Sequence, residues 1–183
     1  MADSNYESLD SIIRGCINKD LKAQEELYKK YFGYALSVAL LYSNNRNDAI
    51  ETVNDSFIKI FQKIKKFDLS LSFKAWLRRI VINSSLDRIR KSNKRMVLGE
   101  AEAESINLED NSPSVCELLQ AREIESLFNY LPHIHKIVFS LHEIEGYSHE
   151  EIAKQLKISK SSSRVYLTRA KKQLRELYLQ NNL

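Results

Sequence analysis

Residues Ser148 to Arg175 read SHEEIAKQLKISKSSSRVYLTRAKKQLR, a pattern that only two short helices joined by a tight turn accommodate. Ser148 with Glu151 three positions on is a capping box, in which hydroxyl and carboxylate satisfy backbone donors at a helix start. Ile152, Ala153 and Leu156 give that helix an apolar stripe. The turn runs through Lys157, Ile158 and Ser159, and Ser159 is suited to cap a second helix. In that second helix Ser163, Leu167, Ala170, Leu174 and Leu177 recur at spacings of four and three, which predicts one inward face. Ser161, Val165, Thr168, Arg169, Lys172 and Arg175 fall on the opposite side, with Arg164 at the boundary.

Charge decides what the hairpin is for. Between Tyr147 and Leu177 the basic residues Lys154, Lys157, Lys160, Arg164, Arg169, Lys171, Lys172 and Arg175 face only Glu150, Glu151 and Glu176. An ordinary solvated helical hairpin mixes its signs more evenly. A helix-turn-helix lays its second helix in the major groove of DNA, with flanking Lys and Arg on the phosphates.

The rest of the chain narrows the class. With 4 Gly and 2 Pro in 183 residues a turn-rich all-β design has no material. Cys16 and Cys116 stand a hundred positions apart with no CxxC, so the sequence offers neither a disulfide framework nor a zinc site and predicts two reduced thiols. His133, His135, His142 and His149 lack a metal-ligand spacing and read as core or surface side chains. No cofactor or small-molecule substrate is implied. No apolar run approaches the ~20 residues that cross a bilayer. The N-terminus, MADSNYESLDS, is acidic and polar, unlike a secretory signal, and the expectation is a cytoplasmic protein without membrane insertion.

Helical periodicity organises the remainder. Residues 8–18 form a short helix, and Asp20 caps a longer one to about Tyr42 with Ala23, Leu27, Tyr31, Tyr34, Ala35, Val38 and Leu41 inward. Asp48 to Lys65 resumes with Ile50, Val53, Phe57, Ile60, Phe61 and Ile64 inward. Ser72 caps a third long helix from Phe73 to about Lys94, in which Trp76, Leu77, Ile80 and Val81 read as core. Val97 to Glu117 then carries six acids and no Lys or Arg, the composition of a flexible linker. Beyond Leu118 a second helical unit includes a helix from Pro132 to Glu145 presenting Ile134, Ile137, Val138, Leu141 and Ile144, with Gly146 as its stop. The predicted fold is all-α: two small helical domains, residues 1–96 and 118–183, joined by an acidic linker over 97–117.

The third long helix ends in a basic run of Arg88, Arg90, Lys91, Lys94 and Arg95, and Phe67 and Phe73 bracket the polar loop before it. Aromatics beside a basic helix hold unstacked bases, each stack contributing about 1–3 kcal/mol.

Three stretches now resemble one family in order and spacing: DAIETVNDSFIKIFQKI (Asp48 to Ile64), FKAWLRRIVINSSLDRIRK (Phe73 to Lys91) and LPHIHKIVFSLHEIEGYSHEEIAKQLKISKSSSRVYLTRAKKQL (Leu131 to Leu174). They are similar to bacterial extracytoplasmic-function sigma factors, subunits of RNA polymerase. The resemblance implies a first domain that binds the clamp of core RNA polymerase and melts the promoter −10 element, and a second that reads the −35 element and docks on the flap. By motif it implies Asp48, Glu51, Asp55, Phe57 and Ile58 for the polymerase surface. For the −10 element it implies the loop Phe67, Asp68, Leu69 and Ser70, with Arg78, Arg79, Asn83, Asp87 and Arg88 on the strand-separating helix. Arg164, Val165, Thr168 and Arg169 fall where the family contacts the −35 element, with Lys160 and Lys172 as phosphate partners. An anti-sigma factor is the implied regulatory partner.

This chain departs from the family at Ser161-Ser162-Ser163, where many members have Gly-Thr-Val, and at Tyr166, where small or basic residues are common. Ser163 on the inward face is expected to bond back to a carbonyl of its own helix. The acidic linker is expected to be repelled by DNA and drawn to basic channels of polymerase. The competing reading is a self-sufficient helix-turn-helix repressor or activator, which binds duplex operator as a dimer without polymerase.

Overall fold

In a computed structural model of the protein, residues 8–97, 127–128 and 130–181 are described, and all regular structure among them is helical. The chain divides into two compact units, Met1–Arg95 and Met96–Leu183. Of the acidic segment 97–117 only Val97 is described, and the start of the helix expected from Leu118 also lies outside the described residues.

The first unit contains α1 (Leu9–Ile17), α2 (Leu21–Leu40), α3 (Arg46–Lys63), a 3-10 turn (Ile64–Lys66) and α4 (Phe73–Val97). Each α-helix begins on a polar side chain that accepts from an otherwise orphaned backbone N–H. Ser8 caps α1, Asp20 Oδ1 takes the Lys22 N–H at 2.8 Å, Asn45 Oδ1 takes the Asp48 N–H at 2.8 Å, and Ser72 Oγ takes the Ala75 N–H at 3.3 Å. The polar break at Asn44-Asn45 thus starts α3 two residues earlier than the apolar spacing indicates. Because α2 packs against both α1 and α3, it buries Leu36 and Ala39 in addition to Ala23, Leu27, Ala35 and Val38. Tyr31, Tyr34 and Leu41, expected inward, are only half-buried. Burial pushes the Cys16 thiol up to about 11, which keeps it protonated and unreactive.

The second unit contains α5 (His133–Phe139), a π turn (Ser140–Ile144), α6 (His149–Leu156) and α7 (Lys160–Asn181). Phe128, Leu131 and Ala170 form a small core against which Phe139 and Leu174 pack. Where a single α-helix to Glu145 is expected, the chain widens. The Glu145 N–H donates to the Ser140 carbonyl at 3.1 Å and the Tyr147 N–H to the Leu141 carbonyl at 2.9 Å, a five- and six-residue reach in place of four. The extra residue rotates the downstream end of the segment, and Ile144, expected in the core, is 46% exposed. Gly146 at φ +74° ends the segment in the left-handed region, where a residue without Cβ is unstrained. Among the described residues no helix is long and apolar enough to cross a membrane.

Candidate nucleic-acid interface

The second unit presents α7 on a turn held by local chemistry. Ser148 Oγ accepts the Glu151 N–H at 3.3 Å, while the Glu151 carboxylate accepts from both the Ser148 N–H and the Ser148 hydroxyl at 2.8 Å, and the two bonds to the carboxylate hold it below its usual range. Lys157 at φ 56° reverses the chain, and Ser159 Oγ accepts the Ser162 N–H at 2.9 Å to start α7. Ser163, Leu167 and Ala170 are then buried. Lys160, Arg164, Val165, Thr168, Arg169 and Lys172 are all exposed on one helix. Lys160 Nζ lies 3.2 Å from Glu150, Lys172 Nζ 3.8 Å from Glu176, and Thr168 Oγ1 donates to the Arg164 carbonyl at 3.0 Å. Both lysine pairs are exposed and contribute little, so breaking either to free its ammonium costs little.

Beneath the start of α7 lies a contact that spacing does not reveal. Ser163 Oγ is 3.0 Å from Nδ1 of His149, the first residue of α6, so its partner is a side chain fourteen positions away and not the expected carbonyl. His149 stacks on His142 with ring centroids 4.5 Å apart. Glu143 Oε1 takes both His142 Nδ1 and Lys171 Nζ at 2.8 Å, linking the π turn to α7. Burial, then the neighbouring His142, Arg164 and Lys160, lower the His149 imidazole below its ordinary value.

In the first unit the loop between the 3-10 turn and α4 is a tight polar knuckle on an aromatic floor. Asp68 Oδ1 accepts from the Ser70 N–H at 2.9 Å and from Ser70 Oγ at 2.8 Å, and the Leu71 N–H donates to the Asp68 carbonyl at 3.0 Å. These bonds to Ser70 hold the Asp68 carboxyl below its usual range. Phe67 lies edge-on to Phe73 at 5.6 Å and 5.0 Å from Trp76, and Phe73 packs on Tyr31 at 4.9 Å. Phe67 is only 8% exposed, which corrects its assignment as a stacking residue: its ring is spent on the floor. Asp68, Ser70 and Leu71 stand on the outside, and Leu69 is half-buried.

On α3, Glu51, Asp55 and Ile58 lie at i, i+4, i+7 on the solvent side, with Asp48 half-buried beside them. Phe57 follows Val53 and precedes Ile60 and Ile64 on the inward stripe and is 2% exposed, so it is a core residue and not part of the expected polymerase surface. Ile58, at 56% exposure, is the apolar group that surface does present. Along α4, Arg79 and Asn83 are exposed, and Arg78 Nη1 donates to Tyr34 Oη at 3.5 Å. Asp87 is engaged by Lys59 at 3.5 Å and by Arg90, while Lys59 also donates to Ser84 Oγ at 3.0 Å. Arg88 Nη2 reaches Asp48 Oδ1 at 2.9 Å and Glu51 Oε2 beside it. Residues expected to serve two different partners therefore meet in one ion pair.

Residues 27–95 match the family model for sigma-70 region 2, and residues 121–174 match that for sigma-70 region 4. The chain is 27% identical over 165 residues to the ECF RNA polymerase sigma-E factor of Haemophilus influenzae, covering 85% of this chain and 87% of that protein. It is 26% identical over 155 residues to the ECF RNA polymerase sigma factor SigE of Mycolicibacterium smegmatis, covering 83% of this chain but 60% of that one. To the ECF RNA polymerase sigma factor SigW of Bacillus subtilis it is 27% identical over 161 residues, covering 82% and 84%. The fold is similar to that of the sigma factor RpoE from Bartonella quintana, solved with the anti-sigma factor NepR, with a TM-score of 0.52 at 21% identity over 86% of this chain and 98% of that one. With region 2 and region 4 in order on one chain, the protein belongs to the sigma-70 family of RNA polymerase sigma factors, in its extracytoplasmic-function group.

Proposed function

We propose that the protein is an alternative sigma factor that binds core RNA polymerase and directs it to a specific set of promoters, without catalysis of its own and in the cytoplasm. The observation that carries this is the pairing of a basic recognition helix, α7, with a separate unit bearing an acidic, Ile58-tipped face and a polar loop on an aromatic floor. Arg164 and Arg169 suit bidentate contacts to guanine, the Thr168 methyl suits a thymine methyl, and Lys160 and Lys172 suit phosphates. Asp68, Leu69 and Ser70 would meet the unstacked −10 base, with Arg78, Arg79, Asn83, Asp87 and Arg88 along the strands. Asp48, Glu51, Asp55 and Ile58 would meet the clamp, and the second unit would dock on the flap. In this division residues 1–96 and 118–183 are the working domains and residues 97–117 a linker. An anti-sigma factor covering the polymerase-binding faces fits the solved relative, which is held by one.

Mixing the protein with core polymerase and a promoter library, then sequencing transcript starts, tests the reading. Start-site selection that depends on the added protein supports it. Tight binding to duplex DNA in the absence of polymerase, with no effect on start sites, would return it to a stand-alone repressor or activator.

A further inference from the structure

At roughly 100° per residue, Ser162, Tyr166, Arg169 and Gln173 fall within one sector of about 60° on α7. This flank lies between the buried stripe at Ser163 and Leu167 and the exposed face at Val165 and Thr168. Three of the four are half-buried, and each of those three has a partner. The Ser162 N–H donates to Ser159 Oγ at 2.9 Å, and Gln173 Nε2 donates to the Tyr130 carbonyl at 2.9 Å. Tyr166 packs its ring on that of His135 in α5, with centroids 5.4 Å apart and planes inclined by 37°. Arg169 is the exposed member of the flank.

A long side chain on a helix leans toward the N-terminus and covers the turn before its own Cα. For Arg169 that turn holds Tyr166 three residues back and Val165 four back. A Tyr166 ring backed by His135 is therefore a wall on one side of the arginine, and the sector over Val165 is left open to it. Burial, and after it the Arg169 charge, lower the His135 imidazole, as expected of a guanidinium passing close to this ring pair. His135 Nδ1 is itself buried with no hydrogen-bond partner, which costs free energy that an all-carbon ring would not. The use of His135 here is thus the face of its ring. An arginine that takes guanine through two parallel bonds has to present its planar fork at a set angle, whereas a lysine on a phosphate does not. A wall beside Arg169 consequently bears on the reading of one base pair and not on overall affinity.

We propose that Tyr166, backed by His135, is a positioning residue that aims the Arg169 guanidinium at a base edge of the −35 element and so sets how strictly one base pair is read. The proposal rests on the sigma-factor reading and adds to it two residues that act through Arg169.

The test uses holoenzyme assembled from core polymerase with the full-length protein, wild-type or variant, with holoenzyme formation checked for each. The probe is a promoter that the wild-type holoenzyme uses, randomised at the −35 element. Arg169→Ala should flatten the wild-type preference at one base pair and so identify it. Tyr166→Ala should weaken the preference at that base pair several-fold and leave the other positions unchanged, and adding it to Arg169→Ala should change nothing further there. Tyr166→Phe should keep the preference. His135→Ala should weaken it, and His135→Phe, which restores a ring face, should recover it. Because His135 lies on α5, its two variants decide the matter even if Tyr166→Ala folds poorly. Variants that bind every sequence more weakly to the same extent, or that keep the wild-type preference, overturn the positioning role, as does an Arg169→Ala protein with no altered position. A wild-type protein that selects no start sites with core polymerase overturns the sigma reading itself.

Discussion

Arg88 of α4 spans Asp48 and Glu51 of α3 and is the only group in contact with both carboxylates among the ion pairs of the described residues. Asp48 and Glu51 are three residues apart on one helix, where like charges repel, so the guanidinium neutralises its neighbours as well as bridging two helices. All three side chains are at least a third exposed, which limits the pair to about 1 kcal/mol or less. Arg88→Gln should therefore lower the unfolding free energy by no more than that, and adding Glu51→Gln should restore part of the loss. Denaturation at low and high salt checks this: a deficit that did not shrink in about 1 M salt would not be electrostatic.

Ser163 is fully buried and bonds to His149. Replacing His149 with Ala strands the hydroxyl in the core of the hairpin, at a cost of about 1–3 kcal/mol. Ser163→Ala should cost less, because the half-buried imidazole can turn to water. In a double-mutant cycle the two changes together should cost less than their sum, with a coupling of about 1 kcal/mol. Additive losses would show that the bond contributes nothing.

The same imidazole makes the second unit acid-sensitive. Burial lowers both His135 and His149 below the ordinary value of 6.5. Arg169 adds to this at His135. Around His149 the charges of His142, Arg164 and Lys160 act in the same direction and Glu143 against it. A lowered imidazole takes up its proton less readily in the folded state than in the unfolded chain, so the unfolded chain binds more protons as pH falls through the ordinary value. The contribution is complete above the unfolded value and is lost as pH falls toward the folded one. Amide protection in α7 should decline between about pH 7 and pH 5, and His135→Gln with His149→Asn should flatten the decline. Unchanged protection across that range in the wild-type protein would contradict the assignment.

Asp68 organises its loop through bonds that an amide can copy. The Ser70 N–H should exchange slowly in the wild-type protein and in Asp68→Asn, where the side-chain oxygen still accepts it, and faster in Asp68→Ala. Promoter discrimination in holoenzyme should follow the same order. An exchange rate indifferent to Asp68→Ala would mean that the loop is held by its aromatic floor alone.

The helix starts were readable because capping is local: Asp20, Ser72, Ser148 with Glu151, and Ser159 each act within three residues of their own position. The exposed face of α7 was readable for a related reason, since an amphipathic helix on a small core exposes whatever its period leaves over. What spacing missed depends on neighbours. Two helices flank α2 and bury a second stripe, and Phe67 turns inward because Phe73 and Trp76 are there to receive it. Phe57 lies in the apolar period of α3, and motif placement assigned it to the surface against that period. His149 finds Ser163 only once the hairpin has folded.

The π turn at Ser140–Ile144 means that this part of the chain holds one residue more than an α-helix of the same rise requires. Insertion or loss of a residue in a helix normally turns everything downstream by about a quarter of a circle. Here the surplus can be taken up or given back within a single turn, between a helix that anchors the unit and the hairpin that carries α7. Length variation of one residue at this place would leave the aim of α7 intact, which makes the turn a tolerance joint ahead of the proposed recognition helix.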